Sequence, residues 1–205
     1  MVAIIDYGVG NLFSLESSFR AIGEEVIVTS DKNVLKNADR IVLPGVGAFG
    51  DAVKKLRQSG LFEVTKELAL SGKPMLGICL GMQLLFNESH EYGIHEGLGL
   101  IEGKVVAMEG RIDKSLKIPH IGWNALKKEK PSKLLKYVKD GEHVYFVHSY
   151  FGTECPFVTA TAEYSIPVLA CVENKNVFGC QFHPEKSGET GLNILRAFCE
   201  IGGEV

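Results

Sequence analysis

The sequence predicts an α/β fold, an open, mostly parallel mixed sheet flanked by helices and carrying an antiparallel extension. Three observations lead to it. Short β-rich apolar runs alternate with segments of helical period through the first half, which is the rhythm of βαβ units. Beyond Gly103 strand-like runs follow one another without helices between them. A chain of 205 residues, 45% hydrophobic and 23% charged, is long enough to enclose one sizeable core.

Taken in order, VAIID at 2–6 reads as a strand, Leu12 to Ile22 as a helix, EVIVT at 25–29 and RIVLP at 40–44 as further strands. Helical patterning returns from Asp51 to Leu56 and from Phe62 to Leu70. KPMLGI at 73–78 is then a strand feeding a helix from Leu80 to about Asn87. KVVAM, HVYFVHSY, FVTATAEY, PVLACVE and VFGCQF form the close-set strands expected to extend the same sheet, before a closing helix from about Thr190 to Cys199. The most loop-like stretch is Glu109 to Lys133. There is no repeat, low-complexity tract or long polar linker, so 1–205 is expected to form one domain.

Charge and cysteine usage narrow the function. With 22 basic against 25 acidic residues the formal charge is -3, too balanced to hold a polyanion, and nucleic acid is not an expected partner. The apolar runs are short, and Met1 leads straight into a strand without a basic flank, so neither a membrane span nor a signal peptide is expected. Five widely spaced cysteines, with no CxxC pair, fit neither a disulfide framework nor a zinc cluster and point to a reducing cytoplasm. No histidine pair has metal-site spacing, and no metal or cofactor is expected.

Chemistry is concentrated in three blocks. Gly77-Ile78-Cys79-Leu80-Gly81 lies where an apolar strand gives way to a helix, the setting of a nucleophile elbow with cysteine in place of serine. Small flanking residues allow the sharp turn, and a helix N-terminus would lend about half a positive charge to a thiolate. Cys155, Cys171, Cys180 and Cys199 lack such flanks and read as packing residues. Phe182-His183-Pro184-Glu185 supplies a base and a carboxylate to orient it, at the end of the strand VFGCQF. Of the other histidines, His90 and His95 read as solvated, and His120 and His148 as strand residues.

Gly45 to Gly50 spells the G-x-G-x-x-G letters of a dinucleotide fingerprint, but the acidic residue expected about 20 positions later would fall in a helical stretch. The same glycines could instead form an oxyanion hole, or a plain turn between strand and helix.

PGVGAFG at 44–50, GICLGMQLLF at 77–86 and FHPEKSG at 182–188, in this order, resemble the triad-type (class I) glutamine amidotransferases. The resemblance spans nearly the whole chain. It implies a glutaminase in which Cys79 attacks the glutamine amide, His183 acts as base and then acid, and Glu185 orients His183. Val46 or Gly47, with Leu80, would provide the oxyanion hole; Gln83 and Glu91, with His148, Ser149 and Tyr150, would hold the amino-acid end of glutamine. DYGVGNLFSL at 6–15, PHIGWN at 119–124 and YFVHSY at 145–150 resemble a branch in which the glutaminase is a separate subunit, paired as a heterodimer with a (β/α)8-barrel cyclase of histidine biosynthesis. Asn11, Ser14, Trp123, Tyr145 and Lys186 match partner-facing positions of that branch. The resemblance further implies an oxyanion hole completed only when the cyclase binds its ribonucleotide. Alternatives to separate are the glutaminase subunit of another synthase, such as that of pyridoxal phosphate synthase, a cysteine peptidase-like hydrolase, and an inactive binding subunit.

Overall fold

The computed structural model describes residues 1–202. Its elements are, in chain order, β1 (Val2–Ile5), α1 (Leu12–Ala21), β2 (Val26–Thr29), α2 (Lys32–Asn37), β3 (Arg40–Leu43), α3 (Phe49–Gln58), α4 (Phe62–Leu70), β4 (Met75–Ile78), α5 (Leu80–Gln83), β5 (Phe86–Ser89) and β6 (His95–Glu96). They continue with β7 (Ile101–Ala107), β8 (His120–Lys128), β9 (His143–His148), β10 (Tyr150–Thr153), β11 (Val158–Glu163), β12 (Pro167–Asn174), β13 (Val177–Cys180) and α6 (Gly188–Cys199), with a 3-10 turn at Pro184–Lys186.

Nine strands form one sheet in the order β2-β1-β3-β4-β13-β12-β11-β8-β9. From β2 to β13 neighbours run parallel, and from β13 to β9 antiparallel, as the predicted class requires. β1, β4 and β13 are buried at every position, which is why they read as unbroken apolar runs. Two apolar clusters, one holding Phe49, Leu56 and Met82 and the other Phe19, Phe178 and Phe198, pack helices against this sheet.

The structure departs from the sequence reading in several places. KVVAM does not extend the main sheet: β7 lies in a second sheet of order β10-β7-β5-β6. HVYFVHSY divides at Ser149, where β9 stays in the large sheet and β10 crosses to the small one, and the Ser149 carbonyl accepts from the Met108 N–H. The helix after Cys79 stops at Gln83, because the Leu84, Leu85 and Phe86 carbonyls accept instead from Leu98, Ile101 and Gly99. The loop-like stretch 109–133 contains β8, which joins β9 to β11. A short helix, α2, also escaped the reading; Asp31 caps it by accepting from the Asn33 and Val34 N–H groups.

Candidate active site

β3, β4 and β13 are neighbours in the sheet, with Leu43 opposite Gly77 and Ile78 opposite Cys180. Their C-terminal ends therefore bring the Pro44–Gly47 segment, Cys79 and His183 to one edge, where ligands bind in open α/β sheets.

The turn at Cys79 depends on close backbone approach. A side chain on Gly81 would stand 1.9 Å from the Leu43 carbonyl oxygen, and one on Gly77 would stand 2.7 Å from the Gly81 carbonyl oxygen. Cys79 itself has φ 54° and ψ −114°, a sparsely populated conformation for a residue with a side chain and the strain of a nucleophile elbow. Its N–H donates to the Cys180 carbonyl at 2.8 Å. Because α5 is a single turn, the dipole of a long helix is not at hand. The groups that reach Sγ are the Val147 carbonyl at 4.0 Å and the Gln181 amide at 3.8 Å.

His183 is buried, with Nδ1 2.7 Å from Glu185 Oε1. Ser187 fixes the turn between them: its hydroxyl donates to the His183 carbonyl at 2.6 Å and accepts the Tyr145 N–H at 2.9 Å. With Nδ1 turned to Glu185, Nε2 is the ring nitrogen left for Cys79, which lines the same cavity. Burial works against an imidazolium, but the neighbouring Cys79 and Glu185 outweigh it and raise the imidazole to about 9. Glu185 Oε2 is buried without a partner among the described residues.

A cavity of about 510 Å³ opens over Cys79 and His183. It is lined by Val46, Gly47, Leu80, Gln83, Glu91, His148, Ser149 and Tyr150, so every proposed oxyanion and substrate residue reaches it, while Glu185 stands behind His183. Val46 is exposed at 42% and Gly47 has φ 92°, a conformation suited to glycine. Gln83 is buried, its amide donating to the Tyr150 carbonyl at 2.9 Å and to Gln181 Oε1 at 3.0 Å. Both amide hydrogens are thereby used, leaving only the Gln83 carbonyl oxygen for a ligand. Glu91 Oε2 accepts the Phe49 N–H at 2.7 Å. A carboxylate thus occupies the start of α3, where a dinucleotide site would hold pyrophosphate.

His148 and His120 form a fixed pair. His148 Nδ1 lies 2.9 Å from the Tyr150 carbonyl, so it carries the proton, and Nε2 accepts from His120 Nδ1 at 3.1 Å. Burial lowers His120 to about 4 and, with the neighbouring His120 and His183 charges and against the Tyr150 bond, lowers His148 to about 3. Both are neutral at pH 7, in contrast to His183. His95, expected to be solvated, is half-buried, its ring centroid 6.5 Å from that of Phe49.

Trp123, exposed at 55%, meets Tyr145 edge-on at 6.1 Å between centroids, and Lys186 Nζ lies 5.8 Å from the Tyr145 ring. α1, carrying Ser14 and preceded by Asn11, packs against the 3-10 turn that holds Lys186. Tyr7 and Gln181 are the residues that sequence reasoning missed. The Tyr7 hydroxyl donates to the Pro44 carbonyl at 2.8 Å, anchoring the base of the Val46–Gly47 segment, and burial, with Cys79 nearby, holds its phenol well above the ordinary value. DYGVGN and CQFHPE contained both residues, but nothing in those letters tells where the side chains point. Among the described residues no cluster of His, Cys, Asp and Glu could hold a metal ion, and no helix is long and apolar enough to cross a membrane.

The family model of class-I glutamine amidotransferases matches residues 3–201. The chain belongs to the class I glutamine amidotransferases. This amidotransferase, a glutamine-hydrolysing enzyme, is 50% identical over 203 residues to the imidazole glycerol phosphate synthase subunit HisH of Caldanaerobacter subterraneus, covering 98% of each chain. It is 45% identical over 205 residues to the subunit of that name from Wolinella succinogenes, covering 98% of this chain and 100% of the other. Among solved structures, a glutamine amidotransferase superposes with TM-score 0.75 at 18% identity, over 97% of this chain and 100% of that one. PurLQS from Thermotoga maritima superposes with TM-score 0.71 at 21% identity, over 97% and 96%. At these identities the two structures speak for the fold alone.

Proposed function

We propose that the chain is the glutaminase subunit of an imidazole glycerol phosphate synthase of histidine biosynthesis, working through Cys79, His183 and Glu185. The observation that carries this reading is the meeting of the three side chains beneath one cavity, in a chain half identical to HisH subunits along its length. Cys79 attacks the side-chain amide carbon, and the N–H groups of Val46 or Gly47 and of Leu80 receive the oxyanion. His183 passes its Nε2 proton to the amide nitrogen, the C–N bond breaks, and ammonia leaves a thioester. Water, deprotonated by His183, attacks the thioester, so glutamine and water become glutamate and ammonia and the thiol is restored. At the amino-acid end, the free oxygen of Glu91 and the Gln83 carbonyl oxygen are both acceptors and suit the α-ammonium, while the backbone from His148 to Tyr150 faces the α-carboxylate.

Ammonia released into water would be protonated and lost as a nucleophile. A closed path to a second active site follows from that chemistry. The partner in this reading is a (β/α)8-barrel cyclase, which uses the ammonia to form imidazole glycerol phosphate and aminoimidazole carboxamide ribonucleotide. It docks on Asn11, Ser14, Trp123, Tyr145 and Lys186, in the cytoplasm. Ile121 and Trp123 share the outward side of β8 and Phe13 is exposed on α1, apolar surface suited to a partner.

Glutamate release by the purified chain, alone and with the cyclase carrying its ribonucleotide, tests the whole reading. Activity that requires both the liganded cyclase and Cys79, and is lost by at least 1000-fold in Cys79→Ala, is expected, of the order of a missing nucleophile. If no activity appears with that partner while a glutamine-like electrophile still labels Cys79, a different synthase is the partner.

A further inference from the structure

Gln181 follows β13 directly and is fully buried, its backbone N–H donating to the Ala170 carbonyl at 2.9 Å. A chain of hydrogen bonds fixes the direction of its amide. The Tyr150 carbonyl can only accept, so the Gln83 group 2.9 Å away is its NH2. The second hydrogen of that NH2 points to Gln181 at 3.0 Å, which must therefore present Oε1 there. The opposite end of the amide, the Gln181 NH2, is then the group that faces Cys79 Sγ at 3.8 Å.

Other titratable groups with electrostatic reach to this sulfur are Tyr7, Cys180 and His183. The Tyr7 hydroxyl is committed to Pro44 and the Cys180 thiol to the Gly77 carbonyl. His183 gives its proton away in the course of turnover. Gln181, which has no titrating proton, can donate to the sulfur at every stage.

We propose that Gln181 is a fourth catalytic residue, whose carboxamide donates a standing hydrogen bond to Cys79 Sγ. The bond stabilises the thiolate before attack and again when sulfur leaves the thioester. Through Gln83 it also ties the nucleophile to the wall of the cavity that receives the substrate. The inference rests on Cys79 being the nucleophile.

Gln181→Met keeps the volume and removes the donor, and Gln181→Glu turns an acceptor toward the sulfur. Alkylation of Cys79 by iodoacetamide at pH 7 is expected to slow by about tenfold in the first variant and further in the second, the scale of losing one hydrogen bond to an ion. At pH 10 the rates of Gln181→Met and the native chain should converge. In the complex with the liganded cyclase, kcat should fall by about 10- to 100-fold with a smaller change in KM. Equal slowing at both pH values would mean a packing role only, and unchanged rates would mean none; either overturns the inference.

Should the variants not fold, the native chain decides. Glutamine occurs only at positions 58, 83 and 181, so amide-15N-glutamine labelling gives three side-chain signals. One is expected to titrate with the thiol and to stop doing so in Cys79→Ala; three signals indifferent to Cys79 would refute the bond. A Cys79→Ala chain that retained glutaminase activity would instead refute the nucleophile assignment itself.

Discussion

At the scale of single residues, the site is an exercise in deciding which histidine holds a proton. His120 and His148 are buried without a carboxylate partner and stay unprotonated, whereas His183, equally buried, has the Cys79 thiol near it and a carboxylate on Nδ1 and is raised to about 9. Burial opposes charge in all three cases, and hydrogen-bonded counter-groups reverse the outcome only at His183. Glu185→Gln removes one of those groups while preserving shape. The imidazole should then titrate closer to its ordinary 6.5, and without a charge to orient and stabilise the imidazolium, kcat should fall by about 10²- to 10⁴-fold. The imidazole C–H resonance of His183 followed against pH, together with glutamate release, checks both statements; an unmoved His183 titration would show that Glu185 does not set it.

At the scale of elements, β8 shows why some of the fold was legible in the sequence and some was not. β1, β4 and β13 are buried at every position, and β3 at every position but Arg40, so their apolar runs carry the signal unaided. β8 reads HIGWNALKK, with Ile121 and Trp123 facing out and His120 facing in, so that its first half inverts the usual pattern. That inversion is intelligible if the outward face meets a partner. Trp123→Ala should then leave the isolated chain within about 0.5 kcal/mol of its original stability, as for an exposed position, while weakening cyclase binding by at least about tenfold. Urea unfolding and titration calorimetry measure the two effects separately, and a large loss of stability with intact binding would return Trp123 to the core. Cys79, His183 and Glu185 were legible as candidates because they sit in short motifs that follow strand ends. Gln181 and Tyr7 were not, because their contribution depends on which way a buried side chain turns after its strand, and on distant residues such as Gln83 and Pro44.

At the scale of the whole molecule, the antiparallel arm of the large sheet carries a pH dependence of its own. His120 and His148 sit opposite each other on β8 and β9 and remain neutral in the folded chain down to about 4 and about 3, against 6.5 when unfolded. Their folded values are lowered, so the unfolded chain binds more protons as pH drops below 6.5, and stability falls through that window until the folded histidines themselves titrate. His183 behaves oppositely: raised from 6.5 to about 9, it contributes fully below 6.5 and loses that contribution as pH rises through 9. Two histidines thus favour the alkaline side of 6.5 and one favours the acid side. Between pH 7 and 5, above the range of ordinary carboxylates, the pair should cost about 4 kcal/mol of unfolding free energy, since each ordinary histidine gains roughly 1.4 kcal/mol per pH unit on protonation in the unfolded chain below 6.5. His120→Asn, which keeps a donor toward His148 without a titrating ring, should flatten this acid limb by about half while leaving the loss between pH 6.5 and 9 in place. Urea midpoints at pH 5, 7 and 9 for the native chain and this variant read both limbs. An acid limb that survived His120→Asn unchanged would assign the proton uptake to groups outside the β8–β9 arm.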